Sequence, residues 1–103
     1  MKVEWTEHAR WQRKQIADYI CKSFGTRRAR IFKQEVGRTT KLLGSHPNIG
    51  PIDPLFSDRP NAYRSIIING LSKLVYRIDG DSIRIVAFWD TRREPKNQSS
   101  QTK

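Results

Sequence analysis

"AYRSIIINGLSKLVYRIDGDSIRIVAFWD", residues 62–90, decides the fold. Apolar and polar residues alternate through three short runs, the period of a half-buried strand. Asn69-Gly70 and Asp79-Gly80 interrupt them, and such dipeptides favour tight hairpin turns because they tolerate positive φ. The stretch reads as a three-stranded antiparallel meander. Two-residue turns set Ile66 opposite Lys73 and Arg64 opposite Val75, then Val75 opposite Arg84 and Lys73 opposite Val86. This register predicts one face of Leu74, Tyr76, Ile78, Ile83, Ile85, Ala87 and Trp89 that packs on helices. The other face carries Arg64, Ile66, Ile68, Lys73, Val75, Arg77, Arg84, Val86, Phe88 and Asp90. Apolar residues framed by cations suit a partner's apolar side chain or a nucleobase.

Upstream of the meander the period changes. "KVEW", residues 2–5, is a short extended start, and Thr6 is placed to cap a helix with Glu7 in its first turn. Ala9, Ile16, Ala17, Ile20 and Phe24 then recur at helical spacing. Gly25 ends this helix, and Thr26 stands where it can cap the next. Ala29, Phe32, Val36 and Leu43 give the second helix one apolar face, with Gly37 inside it at a cost of about 1 kcal/mol relative to Ala. Two helices joined at a Gly-Thr corner make an antiparallel hairpin. "GSHPNIGPIDPLFSDRP", residues 44–60, holds four prolines and two glycines and cannot be regular structure. It reads as a surface connection that Ile49, Ile52, Leu55 and Phe56 pin to the body. The fold class is α+β: a strand and a helical hairpin packed on one face of a mainly antiparallel sheet, in the order β-α-α-β-β-β. Residues 1–95 form one domain, and residues 96–103 are a polar tail too poor in apolar groups to order itself.

The chain has 103 residues, of which 36% are hydrophobic, enough for one modest core. No apolar run approaches the ~20 residues that cross a bilayer, and no signal peptide opens the sequence. The expectation is a cytoplasmic protein without membrane contact. Cys21 is the single cysteine, which excludes an internal disulfide and a cysteine-based metal site. Neither His8 nor His46 has a partner at metal-ligand spacing, so no metal is expected. His8 reads as a solvated residue of the first helical turn and His46 as a turn residue beside Pro47. Walker loops, dinucleotide fingerprints and Ser-His-Asp sets are absent, and no cofactor is implied.

Charge is the strongest compositional signal. A net +10 draws in polyanions or an acidic partner. By itself it does not choose among RNA, DNA, the ribosome, an acidic protein and a membrane surface. Arg27, Arg28 and Arg30 at the start of the second helix can grip backbone phosphate or simply form a solvated face. Trp5 and Trp89 lie in strands, where core packing is the better account. Trp11 sits off the main apolar stripe and can touch the second helix or a partner.

A strand, a helical hairpin, a loop of the "HPNIGP" kind, then "YRSIII", "LVYRID", "IRIVAFWD" and "TRREP", in that order, resemble the RelE/ParE superfamily of bacterial toxins over about residues 3–95. The resemblance implies the toxin of a type II toxin–antitoxin (plasmid stabilisation) module and a cognate antitoxin that neutralises it. The superfamily has two activities. RelE-like members act on the ribosome and cut mRNA; ParE-like members inhibit DNA gyrase and lack the nuclease residues. Carried across by position, the RelE-like cations that hold the scissile phosphate are Arg64, Lys73 and Arg92, with Arg93 as the neighbour that can substitute. Arginine suits that task because its planar fork engages phosphate oxygens in pairs. Arg77, Arg84, Phe88 and Asp90 would add RNA-binding contacts on the same face. Two departures stand against catalysis: Ile66 occupies a place where RelE-like members often carry lysine, and no tyrosine or histidine follows Arg93. The reading placed first is a metal-independent mRNA endonuclease. The reading placed second is a gyrase inhibitor, and the third is a basic domain that merely binds nucleic acid.

Overall fold

The computed structural model describes residues 1–56 and 62–91. Strand β1 (Lys2–Trp5) leads into helices α1 (Glu7–Phe24) and α2 (Thr26–Ser45). A single 3-10 turn at Pro54–Phe56 follows, and then strands β2 (Tyr63–Ile68), β3 (Ser72–Asp79) and β4 (Ser82–Asp90). The sheet order is β1-β4-β3-β2, with β1 parallel to β4 and the other pairs antiparallel.

Local chemistry sets the helix ends. Thr6 caps α1, its hydroxyl accepting from the Ala9 amide at 3.1 Å. Gly25 has φ of +96° and donates its N–H to the Cys21 carbonyl at 3.0 Å, which turns the chain sharply into α2. Thr26 is already helical and gives no side-chain cap; Gly25 holds the cap position instead. Ala29, Phe32, Val36 and Leu43 are all buried, as the periodicity predicts. Phe24 is not: it is 63% exposed, its ring edge-on to that of Tyr19 at 6.3 Å.

The sheet departs from the predicted register three times. The β3–β4 turn is centred on Gly80-Asp81 instead of Asp79-Gly80, so Asp79 pairs with Ser82 and Arg84 faces Arg77, not Val75; this two-residue shift keeps the faces. The other two departures reassign faces. Asn69 and Gly70 do adopt positive φ, of 55° and 69°, and the Leu71 amide donates to the Ile68 carbonyl at 3.1 Å. Leu71, however, joins the loop, its carbonyl taken by Thr91, so that Ile68 pairs with Ser72. A one-residue slip moves every side chain of β2 to the other face. Arg64, Ile66 and Ile68 therefore share the helix side with Leu74 and Tyr76, while Tyr63, Ser65 and Ile67 share the far side with Lys73, Val75 and Arg77. The second of these is a bulge between Val75 and Tyr76, where Ile85 pairs with Tyr76 but Ala87 with Val75. The extra residue, Val86, rotates the end of β4. Phe88 and Asp90 turn to the helix side; Ala87 and Trp89 turn away from it.

Two cores result. The larger, between helices and sheet, holds Ala9, Phe32, Val36, Leu43, Leu74, Tyr76, Ile83, Ile85 and Phe88. The smaller, on the far side, joins Val75, Val86, Ala87, Trp89 and Tyr63 under Phe56. Of the four residues expected to pin the loop, Ile49 and Ile52 are exposed, whereas Phe56 is buried with Leu55 packed beside it; Asp53, also buried, joins them. Gln12 of α1 is buried, and its Oε1 accepts from the Phe88 amide at 2.8 Å, beyond the point where β1 stops pairing with β4. Gln12→Ala leaves that buried N–H without its acceptor and is expected to destabilise the fold by about 1–3 kcal/mol. Urea unfolding checks this, and an unchanged midpoint would show the amide satisfied elsewhere.

Candidate functional site

The far face of the sheet, expected to present cations, has spent them internally. Lys73 forms an ion pair with Asp53, whose side chain is 2% exposed. The other oxygen of Asp53 accepts from the Leu55 amide at 2.9 Å, fastening the 3-10 turn. Arg77 donates to both oxygens of Asp79, at 3.0 and 3.1 Å, and to the Tyr63 hydroxyl at 3.0 Å. Burial works against its charge, but these bonds outweigh it and raise its pKa further above the ordinary arginine value. Arg84 approaches Asp79 at 3.4 Å. Three cations thus share two carboxylates, and the apolar centre beneath them is covered by Phe56 stacked on Tyr63 and Trp89 at 5.1 and 6.3 Å.

Arg64 is elsewhere. Its guanidinium donates to the Gly50 carbonyl at 2.8 Å and lies 3.4 Å from the Asn48 carbonyl. Beside it Tyr76 donates to the Pro47 carbonyl at 2.7 Å and accepts from the Gly50 amide at 3.0 Å. Burial, partly opposed by the Gly50 hydrogen bond and the charge of Arg64, raises the Tyr76 pKa, so the phenol stays neutral. Gly50 must be glycine here, since a Cβ would lie 2.6 Å from the Ser65 carbonyl and 3.1 Å from the Tyr76 ring. These groups hold the loop on the β2 edge, where Asp53 and Ser65 amides complete backbone bonds to Tyr63 and Pro51.

The expected phosphate cradle is therefore not assembled from the strands. Arg64 and Lys73 lie on opposite faces because of the β2 slip. Phe88 is fully buried between Trp5 and Phe32, at ring distances of 5.9 and 5.8 Å, and is unavailable to a base. Asp90 turns to the helix side, away from Arg77 and Arg84. Arg92, Arg93 and the tail lie outside the described residues.

Most of the uncompensated charge is on the helices. Between residues 7 and 45 ten cations face three carboxylates, whereas residues 46–91 hold five of each. The helical corner and the β2–β3 turn also enclose an open groove of about 740 Å³. Tyr19, Ile20, Phe24, Ile31 and Leu71 give it apolar walls, with Arg28 and Asp90 at its polar margin. Tyr19, Phe24, Ile31 and Leu71 are all exposed, which for large apolar groups gathered in one place marks an interaction surface. Their sequence signal was available: Tyr19 and Ile31 are apolar residues off the buried stripe of their helices.

Residues 3–95 match the family described as the ParE toxin of the type II toxin-antitoxin system parDE. The chain belongs to the ParE toxin family. As such it is the toxin of a ParDE type II module, and the module implies a cognate antitoxin as partner. Its fold is similar to that of a chain from the chromosomal ParDE TA system from P. aeruginosa, with a TM-score of 0.71 and 23% identity. That likeness covers 87% of this chain and 95% of the other, and it speaks for the fold. Among curated proteins none matches this sequence significantly. No helix among the described residues is long and apolar enough to cross a membrane.

Proposed function

We propose that the toxin arrests growth in the ParE manner, by binding and inhibiting DNA gyrase, and carries out no RNA chemistry. The observation that carries this reading is the state of the sheet cations. Metal-independent RNA cleavage needs charges free to stabilise a phosphorane and a group to move protons. Here Lys73, Arg77 and Arg84 are engaged by Asp53 and Asp79, and Arg64 by loop carbonyls. What remains free is a helical surface suited to a macromolecule. The antitoxin, in this reading, lays an acidic amphipathic segment into the groove at the helical corner, its apolar side on Tyr19, Phe24 and Ile31 and its acids toward Arg28. The mixed sheet face, the other place such a segment could lie, is covered by Phe56 and its neighbours.

A supercoiling assay tests the gyrase reading. Purified toxin should stop gyrase from supercoiling relaxed plasmid, antitoxin should restore it, and mRNA in a translating extract should stay full length. Undiminished supercoiling together with ribosome-dependent mRNA cuts would overturn it in favour of the RelE-like activity.

A further inference from the structure

On the outer face of α2, Arg27, Arg30, Gln34, Arg38 and Lys41 follow one another at three- and four-residue intervals, and all are exposed. Such spacing sets them in one stripe along the helix, roughly 21 Å long at about 1.5 Å per residue. Arg38 has a surface ion pair with Glu35 at 2.9 Å. Among the described residues Arg27, Arg30 and Lys41 have none. The first turn of α2 contains no acid that could offset its arginines.

The stripe differs in kind from the groove. The stripe itself contains no apolar or aromatic side chain; Ile31 and Leu42, four residues after Arg27 and Arg38, border it on one side, and Ile31 also lines the groove. A protein partner's interface is built on an apolar centre with aromatic anchors, and a single strand is held by aromatic stacking. A row of cations with neither suits a duplex, whose phosphates offer a charge about every 3.4 Å along the axis on each strand; at about 1.5 Å per residue the four cations lie roughly 4.5, 12 and 4.5 Å apart, so each can meet a separate phosphate. We propose that the outer face of α2 binds the sugar-phosphate backbone of duplex DNA without reading its sequence. Phosphate contacts of this kind position a protein on a duplex and carry no base information. The toxin would then engage DNA directly, beside whatever protein it inhibits.

Fluorescence anisotropy of the full-length toxin with a short labelled DNA duplex, at several salt concentrations and without gyrase, tests this separately from the supercoiling assay. Four phosphate contacts predict a roughly 10²-fold weakening between about 50 and 200 mM salt. The R27Q/R30Q/R38Q variant keeps good helix formers at exposed sites, and circular dichroism verifies its fold. It should bind far more weakly and lose about three quarters of the salt slope. If the triple variant unfolds, R27Q and R38Q taken singly should each lower the slope by about one. An R92S/R93S variant should keep most of the parent's affinity. The proposal fails if the α2 variants bind like the parent, if the loss follows Arg92 and Arg93 instead, or if single-stranded DNA or duplex RNA binds more tightly than duplex DNA.

Discussion

Lys73→Met should lower the stability of the toxin by about 3–5 kcal/mol, the usual result of removing one partner from a buried ion pair. Asp53, 2% exposed, would lose its cation and keep the hydrogen bond from the Leu55 amide. The loop that Asp53 fastens covers the smaller core, so Phe56 and Trp89 should open to solvent as it loosens. An Asp53→Asn/Lys73→Met double variant removes both charges and still offers an acceptor to the Leu55 amide. It should recover most of the loss. Urea unfolding of the parent, the single and the double variant measures this directly; equal midpoints in all three would mean that the pair does not hold the loop. The experiment also guards a functional assay. Loss of growth arrest in a Lys73 variant reports unfolding, and says nothing of catalysis unless the stable double variant is inactive as well.

Phe88→Ala should be of comparable size, about 3–5 kcal/mol, because a fully buried ring is deleted and the cavity closes only in part. Phe88 bridges the start of the chain and α2 through Trp5 and Phe32. At 4 kcal/mol the melting temperature of a domain this size drops by roughly 15–30 °C. Phe88→Leu should restore much of it, since most of the apolar volume returns. A melting temperature within a few degrees of the parent's for Phe88→Ala would place the ring outside the core, where a base-stacking role becomes open again.

Both variants concern residues that the sequence places on the wrong side of the sheet or in the wrong role, and the reasons are specific. Helices and hairpin topology are legible because they rest on periods that tolerate small errors: Ala29, Phe32, Val36 and Leu43 are buried wherever α2 starts. Faces of a strand do not tolerate them. Asn69-Gly70 announces the turn correctly, but whether Leu71 stays in the strand depends on the Thr91 backbone and hydroxyl groups that draw off its carbonyl, twenty residues later. The bulge at Val86 has no glycine or proline to signal it. Those two single-residue events separate Arg64 from Lys73 and bury Phe88. Ion pairing was equally hidden, since Asp53 lies in a proline-rich stretch that gives no period from which its partner could be inferred. The buried role of Gln12 was likewise masked, because glutamine among arginines and lysines reads as surface. Family resemblance survived all of this, as it rests on the order of elements, not on register.

The uneven distribution of charge along the chain has one more consequence. Ten cations on two adjacent helices repel one another, while the sheet half is balanced and largely indifferent to its ionic surroundings. Screening ions, or an acidic cover, should therefore tighten the α1–α2 corner and leave the strands much as they are. The unaccompanied toxin would be the looser form at low ionic strength, and its sequestered form the more compact and durable one.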